Sequence, residues 1–128
     1  MYTLDKTQSV LIAEDEEISR HLLRVFLLSL GFENIYEASN GTQAIALGRE
    51  HSPRFALLDI YMPETDGWEV AKTFKRELPG TILIMITSSR DMADMDESVS
   101  VDGYFFKPFQ KDQLLEKMSL LDQSHPVV

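Results

Sequence analysis

The chain has 128 residues, a formal net charge of −9 and no cysteine. That length encloses one sizeable core, so one domain should carry the function, and a content of 44% hydrophobic and 26% charged residues excludes a disordered chain. The acidic balance argues against direct contact with nucleic acid, and the lack of cysteine excludes disulfides, thiolate metal sites and cysteine nucleophiles. Residues 1–10 show no signal-peptide pattern and no apolar run reaches the roughly 20 residues that span a bilayer, so we expect a cytoplasmic protein that does not contact membranes.

The first half of the chain alternates short apolar runs with helical patterns. Ser9 to Ala13 predicts a strand that ends in the acidic run Glu14 to Glu17, which favours the start of a helix. Apolar residues at helical spacing from Ile18 to Leu30 predict that helix, and Gly31 stands where a C-terminal cap is expected. The elements predicted next are a short strand at 34–38, a helix at 42–50 that stops before Pro53, and a buried strand at 54–60.

The second half continues the same alternation. The helix predicted at 91–99 has the weakest pattern, because its apolar stripe consists of Met92, Met95 and Val99 alone. We expect residues 1–121 to form the domain and residues 122–128 to form a short C-terminal tail, so the output must come through a partner protein. The other elements predicted here are a loop at 63–67, a helix at 68–78, an apolar strand at 81–87, a strand at 103–107 and a final helix at 112–121.

Strand-helix units that repeat along the whole chain predict an α/β domain with an open, doubly wound, five-stranded parallel sheet. In such sheets, ligands bind beyond the carboxyl ends of the strands. The sequence therefore brings carboxylates, a hydroxyl group and an ammonium group to one edge of the sheet. The residues predicted at that edge are Glu14, Asp15, Asp59, Thr87, Ser88 and Lys107.

This set of groups suits Mg2+-assisted phosphoryl transfer. Crowded carboxylates raise each other's pKa, so a proton or a cation must share the site, and Mg2+ prefers oxygen ligands. A carboxylate can itself be the nucleophile if a metal ion and a second cation neutralise the transferred group. Asp59 is the candidate nucleophile, with Glu14 and Asp15 as candidate metal ligands. Lys107 would counter the phosphoryl charge, and Thr87 would donate a hydrogen bond to it.

Four segments resemble the motifs of response-regulator receiver domains. They are Val10-Leu-Ile-Ala-Glu-Asp15, Leu57-Leu-Asp59-Ile-Tyr-Met-Pro63 followed by Asp66-Gly67, Ile84-Met-Ile-Thr87-Ser88, and Tyr104-Phe-Phe-Lys107-Pro-Phe109. Their order and approximate spacing agree with the family over nearly the whole chain. The resemblance implies a receiver of a two-component phosphorelay. It also implies a CheY-like, flavodoxin-like strand order of 2-1-3-4-5 with five helices, of which the fourth is the helix at 91–99.

The resemblance also implies partners and residue roles. The phosphoryl donor would be a sensor histidine kinase or a histidine phosphotransfer protein, and the chain would be a signalling switch whose chemistry is limited to gaining and losing its own phosphoryl group. A downstream effector protein would bind the face formed by the helix at 91–99, the fifth strand and the final helix. The implied residues are Asp59 as phosphoacceptor, Lys107 as site lysine with a cis bond to Pro108, Thr87 and Tyr104 as switch residues, and Glu14, Asp15, Asp59 and the backbone carbonyl of Tyr61 as Mg2+ ligands.

Three positions depart from the commoner family pattern or bear on the lifetime of the phosphoryl group. Glu14 stands where Asp is the usual family choice. Tyr61 is bulky for a residue beside the path of the attacking water, and Ser89 offers no carboxylate or amide to orient that water. These two residues predict a comparatively slow self-dephosphorylation.

Three other functions agree less well with the sequence. A hydrolase of the haloacid-dehalogenase type would carry a second Asp two residues after the nucleophile, where this chain has Tyr61. A flavodoxin-like flavin protein would need a hydroxyl- and glycine-rich loop after the first strand, where Glu14 to Glu17 would repel a phosphate. A degenerate receiver that serves only as a scaffold would lack site residues that are all present here.

Overall fold

A computed structural model describes residues 3–88 and 95–126. Within these residues the chain forms one five-stranded sheet in the order β2-β1-β3-β4-β5, and every neighbouring pair of strands is parallel. The predicted α/β class and strand order are therefore confirmed. The strands are β1 (Val10–Ala13), β2 (Ile35–Ala38), β3 (Phe55–Asp59), β4 (Ile82–Thr87) and β5 (Gly103–Phe106).

Helices cover both faces of the sheet, because each crossover between parallel strands must return along the sheet. The first helix ends as predicted, with Gly31 in the left-handed region at a φ of 103° just after the C-cap Leu30. Over the residues that the structure describes, the helices are α1 (Glu17–Ser29), α2 (Gly41–His51), α3 (Gly67–Glu77) and α4 (Lys111–Ser124).

The helix predicted at 91–99 is only partly covered by the structure. Residues 91–94, with Met92, lie outside the described residues, as does Ser89. Residues 95–99 form turns and no helix. The Asp96 carboxylate accepts hydrogen bonds from the Ser98 amide at 3.0 Å and from the Ser98 hydroxyl at 2.5 Å, and such local side-chain bonds compete with helical backbone bonds.

Each face of the sheet supports its own apolar cluster. On one face, Ile12 and Ile84 pack with residues of α1 and α4, and on the other, Leu11 and Met85 pack with residues of α2 and α3. Strands β1 and β4 are buried along their whole length, which explains why their sequences are uninterrupted apolar runs. The carboxyl ends of these strands are consequently held in a fixed register.

The C-terminal helix continues beyond its predicted end at Leu121. Asp122, which the sequence assigned to a tail, lies within α4 and forms an ion pair with Arg54 at 2.8 Å, and both side chains are nearly buried. His125 follows the helix and contacts the Asp102 carboxylate at 2.9 Å. The predicted tail at 122–128 is therefore corrected for its first residues, because this ion pair fastens them to the start of β3.

No helix in the described part of the chain is long and apolar enough to cross a membrane.

The turn between β3 and α3 is fixed by a close approach of backbone to backbone. The Gly67 amide donates to the Ile60 carbonyl at 2.9 Å, and a Cβ at position 67 would lie 2.1 Å from the carbonyl oxygen of Asp59. Glycine is therefore required at this position by space.

Gly67→Ala should lower the free energy of unfolding by about 1–3 kcal/mol, because the added methyl group must push the end of β3 away. Gly80→Ala is the matched control, since a Cβ there meets no atom within 4 Å, and its effect should stay within about 0.5 kcal/mol. Urea denaturation of the two variants measures both values. Equal stabilities would contradict the close approach.

Candidate functional site

The predicted site residues meet at the carboxyl edge of the sheet. Glu14 directly follows β1, Asp59 is the last residue of β3 and Thr87 is the last residue of β4. Lys107 directly follows β5, and its amide donates to the Thr87 carbonyl at 2.8 Å. Four strands thus deliver the predicted groups to one place.

Three carboxylates lie close together at this edge. Glu14, Asp15 and Asp59 each offer a carboxylate oxygen, and these oxygens lie within 4.8 Å of one another. Glu14 is buried and Asp59 nearly so, whereas Asp15 is exposed. The cluster is therefore open to solvent on the side of Asp15.

Lys107 bridges the two buried acids of the cluster. Its Nζ donates to Glu14 Oε1 in a short contact and to Asp59 Oδ2 at 3.3 Å. Burial raises the pKa of Glu14, and the nearby Asp59 raises it further, against the opposing effect of Lys107. Burial by itself would lower the pKa of Lys107, but the two carboxylates outweigh burial and raise it, so the lysine stays charged.

The loop after β3 holds Asp59 from the other side. The Tyr61 amide donates to Asp59 Oδ1 at 3.1 Å, so the backbone of this loop orients the carboxylate. Tyr61 is itself an exposed residue. Further along the loop, the Asp66 carboxylate caps α3 by accepting from the Glu69 amide at 3.0 Å. The metal contact predicted for the Tyr61 carbonyl stays a prediction.

The two predicted switch residues lie on neighbouring strands. Thr87 is fully buried, and Tyr104, on β5, is half-buried. The Tyr104 ring lies near the indole of Trp68, with ring centroids 6.4 Å apart, and burial raises the pKa of its phenol. Trp68 received no role from the sequence, because only the tertiary fold brings the start of α3 near Tyr104 on β5.

The Lys107–Pro108 peptide bond is cis, as the resemblance implied.

The acidic cluster fits a hard divalent cation. Its three side chains present carboxylate oxygens, the ligand type that Mg2+ prefers, and Asp15 leaves the cluster open to the water molecules that Mg2+ retains. The burial of Glu14 and the repulsion within the cluster make an added positive charge favourable.

Comparison with known proteins agrees with the fold. The family model of the response regulator receiver domain matches residues 10–119 of this chain. The chain is 37% identical over 114 residues to the chemotaxis protein CheY of Halobacterium salinarum, covering 88% of this chain and 94% of that protein. It is 32% identical to the CheY of Bacillus subtilis, covering 86% and 93% of the two chains.

A solved structure supports the same assignment. The signal receiver domain of a modulated diguanylate cyclase from Desulfovibrio desulfuricans superposes with a TM-score of 0.85 at 30% identity, covering 92% of this chain and 95% of that one. Sequence, fold and the geometry of the acidic edge thus agree, and the chain belongs to the response regulator receiver domain family of signalling switches.

Proposed function

We propose that this receiver accepts a phosphoryl group on Asp59, with Mg2+ bound, from the phosphohistidine of a sensor histidine kinase or a histidine phosphotransfer protein. The modification then changes the binding of a downstream effector protein. The observation that carries this proposal is the position of the Asp59 carboxylate, which has an oxygen within 4.8 Å of oxygens of Glu14 and Asp15 and lies 3.3 Å from the ammonium of Lys107. A carboxylate that only ended a strand would need neither the two neighbouring acids nor the lysine.

The transfer forms a bond between phosphorus and an Asp59 carboxylate oxygen as the bond between phosphorus and the donor's imidazole nitrogen breaks. The imidazole leaves with that electron pair. The Tyr61 amide and Lys107 fix the orientation of Asp59, which keeps an oxygen directed at the phosphorus. Lys107 counters the negative charge of the transferred group, because its ammonium already lies 3.3 Å from Asp59 Oδ2.

Glu14, Asp15 and Asp59 are the side chains that would hold Mg2+. The bound ion would neutralise charge on the phosphoryl oxygens and so lower the barrier for an anionic donor to approach three acids. The raised pKa of Glu14 supports this requirement, because burial first and the nearby Asp59 second disfavour the ionised form of this candidate ligand, which an added cation would favour.

The output face lies beside the site. A phosphoryl group on Asp59 offers new acceptor oxygens to Lys107 and to the hydroxyl of Thr87. Movement of Thr87 leaves space next to Tyr104, whose ring is only half-buried and can be drawn inwards. Met95 and Val99, in the non-helical segment at 95–101, belong to the same apolar cluster as Tyr104 and Trp68, so movement of the Tyr104 ring would change the packing of this segment.

We expect acetyl phosphate to label the wild-type chain with one phosphoryl group and Asp59→Asn to abolish the labelling, because the nucleophile is removed. Removal of Mg2+ with EDTA should slow labelling of the wild type by at least about a hundredfold. Asp66→Asn is the matched control, since Asn also caps helices and Asp66 lies in the same loop. Intact-mass spectrometry measures the label. Equal labelling of Asp59→Asn and the wild type would refute the assignment.

The metal-free protein should show the cost of ionising Glu14 as a pH dependence of stability. Because the pKa of Glu14 is raised on folding, the folded state binds its proton more tightly, so stability is lost as pH rises above the ordinary carboxyl range. Glu14→Gln lacks this loss. Its free energy of unfolding relative to the wild type should therefore be constant below the ordinary carboxyl range and should increase as the pH rises through and above that range.

Urea denaturation in EDTA at each pH measures that difference. Glu16→Gln is the control, because Glu16 is a neighbouring acid that is exposed. A difference for Glu14→Gln that stays flat or falls with pH would contradict the raised pKa.

Beryllium fluoride, which mimics the phosphoryl group, should shift the amide resonances of residues 95–106 as well as those next to Asp59. Thr87→Ala should reduce the distant shifts while leaving those near Asp59, because it removes the hydroxyl that links the site to Tyr104. Two-dimensional amide NMR provides both readings, and Gly80, at the opposite edge of the sheet, serves as an internal reference. Shifts confined to Asp59 and its loop would refute this output mechanism.

A further inference from the structure

Arg20 contacts the backbone that carries the acidic cluster. Its Nη1 donates to the carbonyl oxygen of Glu14 at 2.9 Å, from a position one turn into α1. The Arg20 side chain is only 20% exposed, so this contact is shielded from water. The guanidinium therefore binds the turn between β1 and α1 at the residue that enters the cluster.

A second, longer contact places the guanidinium beside β2. The Nε of Arg20 lies 3.8 Å from Glu37 Oε1 on β2, and the other oxygen of Glu37 accepts from Arg24 at 3.2 Å. The amide of Glu14 meanwhile donates to the carbonyl of Ala38, also on β2, at 3.0 Å. The two peptide groups of Glu14 are thus held from both sides, one by β2 directly and one through Arg20 and Glu37.

The start of α1, which follows this turn, has no side-chain cap. The N-cap residue of α1 is Glu16, whose side chain makes no capping hydrogen bond, and the Glu16 amide reaches Glu14 Oε2 only at 3.5 Å. The acidic run Glu14 to Glu17 also repels itself. A charged donor on a carbonyl gives one of the stronger hydrogen bonds available to such a turn.

We propose that Arg20 is a positioning residue of this receiver, which holds Glu14 and Asp15 in the arrangement that binds the divalent cation. The proposal rests on the proposed function, because it assumes that these acids bind Mg2+. Arg20 acts through the backbone and touches neither the cation nor the phosphoryl group.

The alternative is that Arg20 acts only as a positive charge near the site. When Arg20 is removed, the two possibilities predict changes of Mg2+ affinity in opposite directions. Removing a nearby positive charge makes the acidic cluster more attractive to Mg2+, so affinity would rise. Removing the group that positions the ligands makes the cluster less ordered, so affinity would fall.

The test is a Mg2+ titration of the metal-free protein without a phosphoryl donor, followed by amide NMR. Arg20→Ala should weaken Mg2+ binding by about tenfold, the lower end of the range for partners of metal ligands. Arg20→Gln, which keeps a donor without the charge, and Arg20→Lys, which keeps both, should recover part of the affinity. Arg24→Ala should remain within about twofold of the wild type, because Arg24 pairs with Glu37 and weakly coupled surface pairs contribute little.

In the metal-free state, Arg20→Ala should also shift the amide resonances of Asp15 and Glu16. Circular dichroism establishes whether each variant is folded. If Arg20→Ala does not fold, the Mg2+ affinity of Arg20→Gln is compared with that of the wild type instead. Unchanged or tighter Mg2+ binding by the folded variants overturns the positioning role while the wild type still binds Mg2+. Failure of the wild type to bind Mg2+ overturns both this inference and the proposed function.

Discussion

The repulsion among Glu14, Asp15 and Asp59 is the constraint on which the rest of the site depends. The carboxylates cannot relax by moving apart, because the strands that carry Glu14 and Asp59 are paired in register, Ala13 with Leu58. The apolar clusters on both faces of the sheet hold that register. The stability of the interior thus holds the carboxylates close together, an arrangement that an added cation would make more favourable.

Lys107 links this constraint to the neighbouring strands. Its ammonium is shared between Glu14 and Asp59, and its amide is bonded to the carbonyl of Thr87. A change of charge on Asp59 therefore alters the balance of forces on a residue that is fastened to both β4 and β5. The acidic cluster is thus joined to β4 and β5 through a few short contacts.

Much of this arrangement follows from the sequence, because uninterrupted apolar strands end in polar groups and the parallel topology brings those ends together. Asp59 and Lys107 were predicted in this way. The described part of the helix predicted at 91–99, residues 95–99, is not helical, because the Asp96 carboxylate bonds locally to Ser98. Arg20 and Asp122 could not be assigned from patterns, since their partners, the Glu14 carbonyl and Arg54, become neighbours only in the tertiary fold.

The ion pair between Arg54 and Asp122 also determines how the C-terminal helix can move. Helix α4 has 14 residues and is therefore about 20 Å long. One end begins near the site, shortly after Lys107, and the other end is fastened to the start of β3, at the opposite edge of the sheet. Leu114 and Met118 are buried against the sheet between these two ends, so a displacement beside the site would be confined to the first turn of the helix, around Lys111.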